Sequence, residues 1–160
     1  MTTTDQKRAG LAPAQLVVRV LIALALLIDA LVHLHLGPAY QLSAPSGIGA
    51  GNLFRLEAAA AIAAAALVLV RPSPEAYTAA LLVGLTALGA VLVYRYVNVP
   101  AFGPLPAMYE PLWSPEKILS ALSEAFAAIL AAAMLLSGHG QAVRAAAEPP
   151  DPVPQNPATG

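Results

Sequence analysis

No cysteine occurs anywhere in the chain. That excludes disulfide staples, thiolate metal ligation, Cys-x-x-Cys redox chemistry and a cysteine nucleophile together. Charge is scarce as well: 11% of the 160 residues are Asp, Glu, Lys or Arg, against roughly 25% in soluble domains. The few charges nearly cancel, eight basic against nine acidic, for a formal net charge of −1. Nucleic acid therefore has no electrostatic handle on this protein. Lys and Arg are missing altogether from two stretches, GPAYQLSAPSGIGAGN (37–52) and PAFGPLPAMYEPLWS (100–114).

What remains is apolar. Hydrophobic residues make up 58% of the chain, and crossing a bilayer takes about 20 of them in a row as helix. Four segments qualify, at about 16–36, 53–70, 75–99 and 115–136. Two of them open with the same device. Ser73-Pro74-Glu75 and Ser114-Pro115-Glu116 each offer a Ser cap, a Pro at the first helical position and an acid at the positive end of the dipole. Asn52 is expected to cap the second helix in the same way. The abundant Ala suits close helix packing, because helices in lipid associate through small residues. The expected fold is all-α, a bundle of four transmembrane helices. It comprises a cytoplasmic segment 1–14, a membrane domain 15–137 and a Pro-rich, disordered cytoplasmic tail 138–160. The first apolar run is too long for a cleaved signal peptide and passes any credible small-residue cleavage site.

Orientation follows from the basic residues. Lys7, Arg8 and Arg19 lie at the start of the first span, Arg71 in the second turn and Arg144 after the fourth. Alternating helices put all five on one side, so both termini are expected in the cytoplasm and the protein in the bacterial plasma membrane as a multi-pass chain. Tyr40, Phe54, Tyr94, Tyr96, Phe102, Tyr109 and Trp113 gather at the outer end. They either anchor lipid headgroups or mark outer loops that fold onto the bundle, meet a membrane partner or pack on a second copy of the chain.

An acid and two histidines interrupt the first span in LLIDALVHLHLGPAY (26–40). Asp29 lies about 10 Å below the outer end and Glu124 about 13 Å below it, at 1.5 Å per residue. Arg55 and Glu57 enter the second helix from the same side, Arg95 leaves the third there, and Glu116 and Lys117 sit at the mouth of the fourth. Apart from Arg19, every intramembrane charge falls in the outer half. An acid at a helix centre costs about 2.5–3.5 kcal/mol on insertion scales, so these groups must be buried and paired. Asp29 and His33 share a helix face four residues apart, whereas His35 points nearly the other way. Lys117, Ser120 and Glu124 form a second stripe. Arg55 and Glu57 diverge by about 200° around their helix.

Asp29, His33, Arg55, Glu57, Arg95 and Glu124 are thus the candidate ligand-binding residues, with Asp29, His33 and Glu124 the candidate metal ligands; no residue is singled out as catalytic. Two roles compete for the cluster. The near-balance of signs suits a self-satisfied network of interhelical salt bridges. Ionisable groups at this depth also mark functional sites, and the two roles can coexist. One nitrogen and two oxygen ligands would suit a divalent ion in a generic way, while aromatics beside acids would suit a quinone headgroup or a lipid. Transport would need polar residues through the inner half, where AAAAIAAAALVLV (58–70) supplies none.

The His-Leu pairs ending helix one, Gly51-Asn52-Leu53-Phe54 opening helix two, the polar end of helix three and Trp113 before helix four resemble small four-helix membrane proteins common in actinobacteria. The likeness covers about residues 14–137 and implies architecture rather than activity, since those proteins are largely uncharacterised. A looser likeness is to DoxX-type four-helix proteins, associated with quinone or redox chemistry, from which no residue role carries over. The functional expectation is a non-enzymatic membrane protein binding a lipophilic ligand or a membrane partner through its outer end. The alternative is a membrane oxidoreductase, or its accessory subunit, using a quinone or metal at the Asp/His/Glu cluster. No particular cofactor is implied.

Overall fold

A computed structural model describes residues 3–147, with side chains described from 13 to 138. Four helices make up this part: α1 (Thr3–Ser43), α2 (Ala50–Val70), α3 (Pro74–Tyr96) and α4 (Pro115–Ala147). Each contains a stretch long and apolar enough to span a bilayer, and the chain is a small multi-pass membrane protein. Two elements outrun the expected spans. The apolar part of α1, Pro13–Ser43, holds 31 residues, about 46 Å of helix, so it projects beyond a hydrocarbon layer of about 30 Å. Helix α4 continues through residues 138–147, which were expected to begin the tail; GHGQAVRAAA is mostly good helix former once past its glycines, and the first proline after Pro115 is Pro149. The remainder of the expected tail, 148–160, lies outside the described residues.

Local chemistry sets the helix starts. Ser73 Oγ accepts the Ala76 N–H at 3.3 Å and Ser114 Oγ accepts the Lys117 N–H at 3.2 Å. The second helix departs from expectation. Its N-cap is Gly49 rather than Asn52, with no side-chain cap. Instead the end of α1 supplies acceptors: the Ala50 N–H reaches the Ala44 carbonyl at 2.9 Å and the Asn52 N–H reaches Gln41 Oε1 at 3.2 Å. Asn52 itself donates back to the Ile48 carbonyl. At the other end of α2, Arg19 reaches across from α1. Its guanidinium donates to the Val68 carbonyl at 3.1 Å and to the Leu69 carbonyl, meeting acceptors that a helix end leaves free. Sequence position alone had cast Arg19 only as a flank charge.

The helices form a ring in chain order. Helix α1 packs on α2 and α4, and α3 packs on α4 and α2, whereas α1 and α3 barely touch. The core is mostly alanine around Ile22, Leu26 and Val68. Backbones meet closely where side chains are absent. A Cβ on Gly51 would overlap the Gly37 carbonyl oxygen of α1, and one on Gly84 would come within 2.8 Å of the Glu124 carbonyl oxygen of α4. Large apolar side chains such as Leu31, Leu82, Leu122 and Ile129 point outward, as lipid contact requires.

The two longer connections, 44–49 and 97–114, share one end of the bundle. They fold onto it and onto each other. The Ile48 N–H donates to the Pro104 carbonyl at 2.9 Å, Val99 and Met108 exchange both backbone bonds, and the Glu110 N–H donates to the Tyr94 carbonyl at the end of α3.

Candidate functional site

At that long-loop end, about 490 Å³ of cavity opens between the four helices and the 97–114 loop. Its walls are mainly apolar, including Val32 and Leu36 of α1, Leu53 of α2, and Ala87 and Val91 of α3. Five rings line it as well: His33, Tyr40, Phe54, Tyr94 and Tyr109. Phe54 joins the rim to the floor, 4.4 Å from the Tyr40 ring and 5.0 Å, edge-on, from the His33 imidazole. The Tyr40 hydroxyl donates to Glu110 Oε2 at 3.0 Å, fastening the loop to α1. Lys117 secures the same loop by donating to the Glu110 and Leu112 carbonyls, each at 2.8 Å.

The floor is polar. Asp29 and Glu124 are each 1% exposed, Ser120 is 3% and His33 is 9%. His33 Nδ1 lies 3.0 Å from Asp29 Oδ1 and 3.1 Å from the Asp29 main-chain oxygen. Two acceptors on that nitrogen make it a donor, which leaves Nε2 for the cavity that the ring lines. Ser120 Oγ lies 2.7 Å from Asp29 Oδ1 and 2.8 Å from Glu124 Oε1. A hydroxyl has one hydrogen, so it serves both oxygens in full only if one carboxyl carries a hydrogen of its own. The second oxygens, Asp29 Oδ2 and Glu124 Oε2, are buried without a partner. Buried polar atoms are nearly always paired; two orphans in one small cluster single out this floor. Donor atoms of Asp29, His33 and Glu124 all lie within 4.8 Å of one another.

The expected residues divide. Asp29, His33 and Glu124 converge at one depth from α1 and α4. Glu57 faces the cavity, and its Oε1 is buried and unpartnered. Arg55 does not join them: it is exposed and donates through Nη1 to Asn52 Oδ1 at 2.6 Å. Arg95 stays at the end of α3, its guanidinium 5.0 Å from the Tyr96 ring centroid and 5.8 Å from that of Trp113. The anticipated stripe on α4 also splits, since Lys117 turns to the loop while Ser120 and Glu124 turn to Asp29. Among the described residues the one ion pair is Asp29–His33. A balanced network of arginines and acids is therefore not what holds the bundle together. The reason is geometric: long basic side chains near helix ends find carbonyls and rings at the interface more cheaply than they reach down to a buried acid.

Sequence reasoning had placed Ser120 on the right face but not between the two carboxyls. It had no means of finding the Tyr40–Glu110 bond across 70 residues. His35 is exposed, as its spacing implied.

The fold and cavity define a four-helix membrane bundle with a polar-floored cavity at one end; no family model, curated protein or solved structure matches the chain.

Proposed function

We propose that this protein resides in the bacterial plasma membrane, with both termini in the cytoplasm, and binds a lipophilic small molecule in the cavity at its outward-facing end. One observation carries the proposal: about 490 Å³ of mainly apolar space ends on a polar floor with unmet hydrogen-bonding capacity. Small-molecule sites combine these same features, apolar walls of about 300–1,000 Å³ and a few placed polar groups. Residues Leu56, Thr86 and Ala90 line the cavity and are also exposed, which favours entry from the bilayer between α2 and α3. His33 Nε2 would meet the ligand's polar end and Asp29 would hold the imidazole in place.

Saturable binding of N-phenyl-1-naphthylamine, a neutral lipophilic fluorophore, to the protein in nanodiscs tests this. One site per chain is expected, weakened at least tenfold by Ala90→Trp, which narrows the space between α2 and α3. Emission that never saturates, or that Ala90→Trp leaves unchanged, refutes it.

A second function is favoured by the clustered donor atoms of Asp29, His33 and Glu124. Two carboxylates would neutralise a divalent ion at this site, and one nitrogen with two oxygens is an ordinary donor set for it. Such an ion, or a quinone hydrogen-bonded to His33, would make the chain part of a membrane oxidoreductase. Metal analysis after chelator-free purification decides: one equivalent, lost in His33→Ala, supports the ion, and less than about a tenth of an equivalent in the wild type excludes it as a resident group.

A further inference from the structure

We propose that the molecule held in the cavity is an amphiphile with a cationic head, an alkyl- or arylammonium, and that Glu57 is its counter-ion. The proposal rests on the binding function above and specifies the chemistry of the ligand.

Glu57 presents a carboxyl to the cavity with Oε1 buried and unpartnered. An acid at this depth ordinarily finds a basic partner within the protein, but among the described residues no basic side chain forms an ion pair with Glu57. Arg55 turns to Asn52, Arg95 stacks on Tyr96 and Trp113, and Lys117 is held by two loop carbonyls. The ionisable groups that act on Glu57 are Asp29 and His33, and His33 is already committed to Asp29. A cationic ligand would supply the partner that Oε1 lacks.

Carboxyls outnumber basic groups around the cavity. Glu57 and Glu110 line the cavity and Asp29 and Glu124 lie at or under its floor, against Lys117 and His33. An anionic head would meet more carboxyls than basic groups. Aromatic faces attract cations, most strongly where water is excluded, and Phe54 lies one helical turn from Glu57 on the same helix, with Tyr40, Tyr94 and Tyr109 around the same space. An unpaired acid beside several rings is a setting for an ammonium. The apolar walls formed by Val32, Leu36 and Val91 would take its chain.

Three probes of equal chain length test the inference on the full chain in zwitterionic nanodiscs: dodecyltrimethylammonium, dodecanol and dodecanoate, each displacing N-phenyl-1-naphthylamine below its critical micelle concentration or, for dodecanol, its solubility limit. The ammonium is expected to bind at least tenfold tighter than dodecanol, and dodecanoate weaker than both. Glu57→Gln should cut the ammonium-to-dodecanol ratio below threefold, and an unchanged gel-filtration profile and helical circular dichroism report that the variant is folded. Phe54→Leu, which keeps every charge, should lower the same ratio about threefold and stands in if Glu57→Gln does not fold. Equal or tighter binding of dodecanol or dodecanoate by the wild type overturns the cationic assignment and leaves the binding function standing. A preference that survives Glu57→Gln, or Phe54→Leu where that variant stands in, overturns the residue assignment. Displacement by none of the three removes the binding function itself.

Discussion

Ser120→Ala removes one oxygen atom and tests whether the floor of the cavity is a joined structure or a chance meeting of side chains. The hydroxyl lies 2.7 Å from Asp29 Oδ1 and 2.8 Å from Glu124 Oε1 and is sealed from outside. Its loss leaves Asp29 still bonded to His33, but leaves Glu124 with neither oxygen paired, because Oε2 has no partner to begin with. Hydrogen bonds to charged groups contribute about 1.5–3 kcal/mol in general. Polar contacts between membrane helices average about 0.6 and reach about 1.7 kcal/mol, since the unfolded helices also find partners in the membrane. One hydroxyl bridging two helices and stranding a buried acid belongs at the upper end, so we expect a loss of about 2 kcal/mol, roughly 30-fold in the folding equilibrium. Ser123→Ala is the matched control. Its hydroxyl bonds only the Ser120 carbonyl of its own helix, and its loss should cost less than about 0.5 kcal/mol. Reversible unfolding in mixed micelles reads both. Glu124→Gln, combined with Ser120→Ala in a double-mutant cycle, should show coupling of at least about 1 kcal/mol. If Ser120→Ala matches Ser123→Ala, the cluster does not bind α1 to α4 and the reasoning fails.

Arg19→Ala should destabilise the bundle by about 1–2 kcal/mol by exposing the last carbonyls of α2, and Arg19→Lys by less; identical stability of all three proteins in the same unfolding assay would show that this cap is idle. Gly84→Val should cost about 1–3 kcal/mol because its Cβ meets the α4 backbone, whereas Gly89→Val, with open space around the position, should be near neutral; equal effects would mean that α3 does not ride on α4 at Gly84. The lack of cysteine makes orientation easy to read. Ala101→Cys should react with a membrane-impermeant maleimide on intact cells and Pro72→Cys only after lysis, and the reverse pattern would invert the topology.

The spans were legible because bilayer thickness imposes a length that hydropathy reports directly, and the Ser-Pro-Glu starts because a cap is a matter of three adjacent residues. Asp29 with His33, and Ser120 with Glu124, were legible as pairs one turn apart on single helices. That these two faces meet could be anticipated only as an equality of depth, which proved sufficient for Asp29 and Glu124. It failed for the arginines. Arg95 and Glu124 have opposite charge and lie toward the same end, yet a guanidinium at a helix terminus can lie on Trp113 without leaving the interface. Counting charges says nothing about that choice. Asn52 failed for a related reason: the donors at the start of α2 are met by Gln41 and Ala44, and a neighbouring helix end leaves no mark on the local sequence.

The position of the polar groups along the bundle also bears on what the cavity does. Among the described residues the buried polar side chains are Asp29, His33, Ser120, Ser123 and Glu124, all in the half that carries the long loops. Toward the short turn at residues 71–73 the buried side chains are Ile22, Leu26, Val68, Tyr77 and alanines, which pack from all four helices. A charged group or its water shell passing through that layer would exchange most of its hydrogen bonds for alkyl contacts, at several kcal/mol for each polar group left unpaired. Opening a path would require α1 and α2 to part where Arg19 clasps the α2 terminus. That apolar layer supports the proposed reading of the cavity as a binding site entered from the loop end or sideways between α2 and α3.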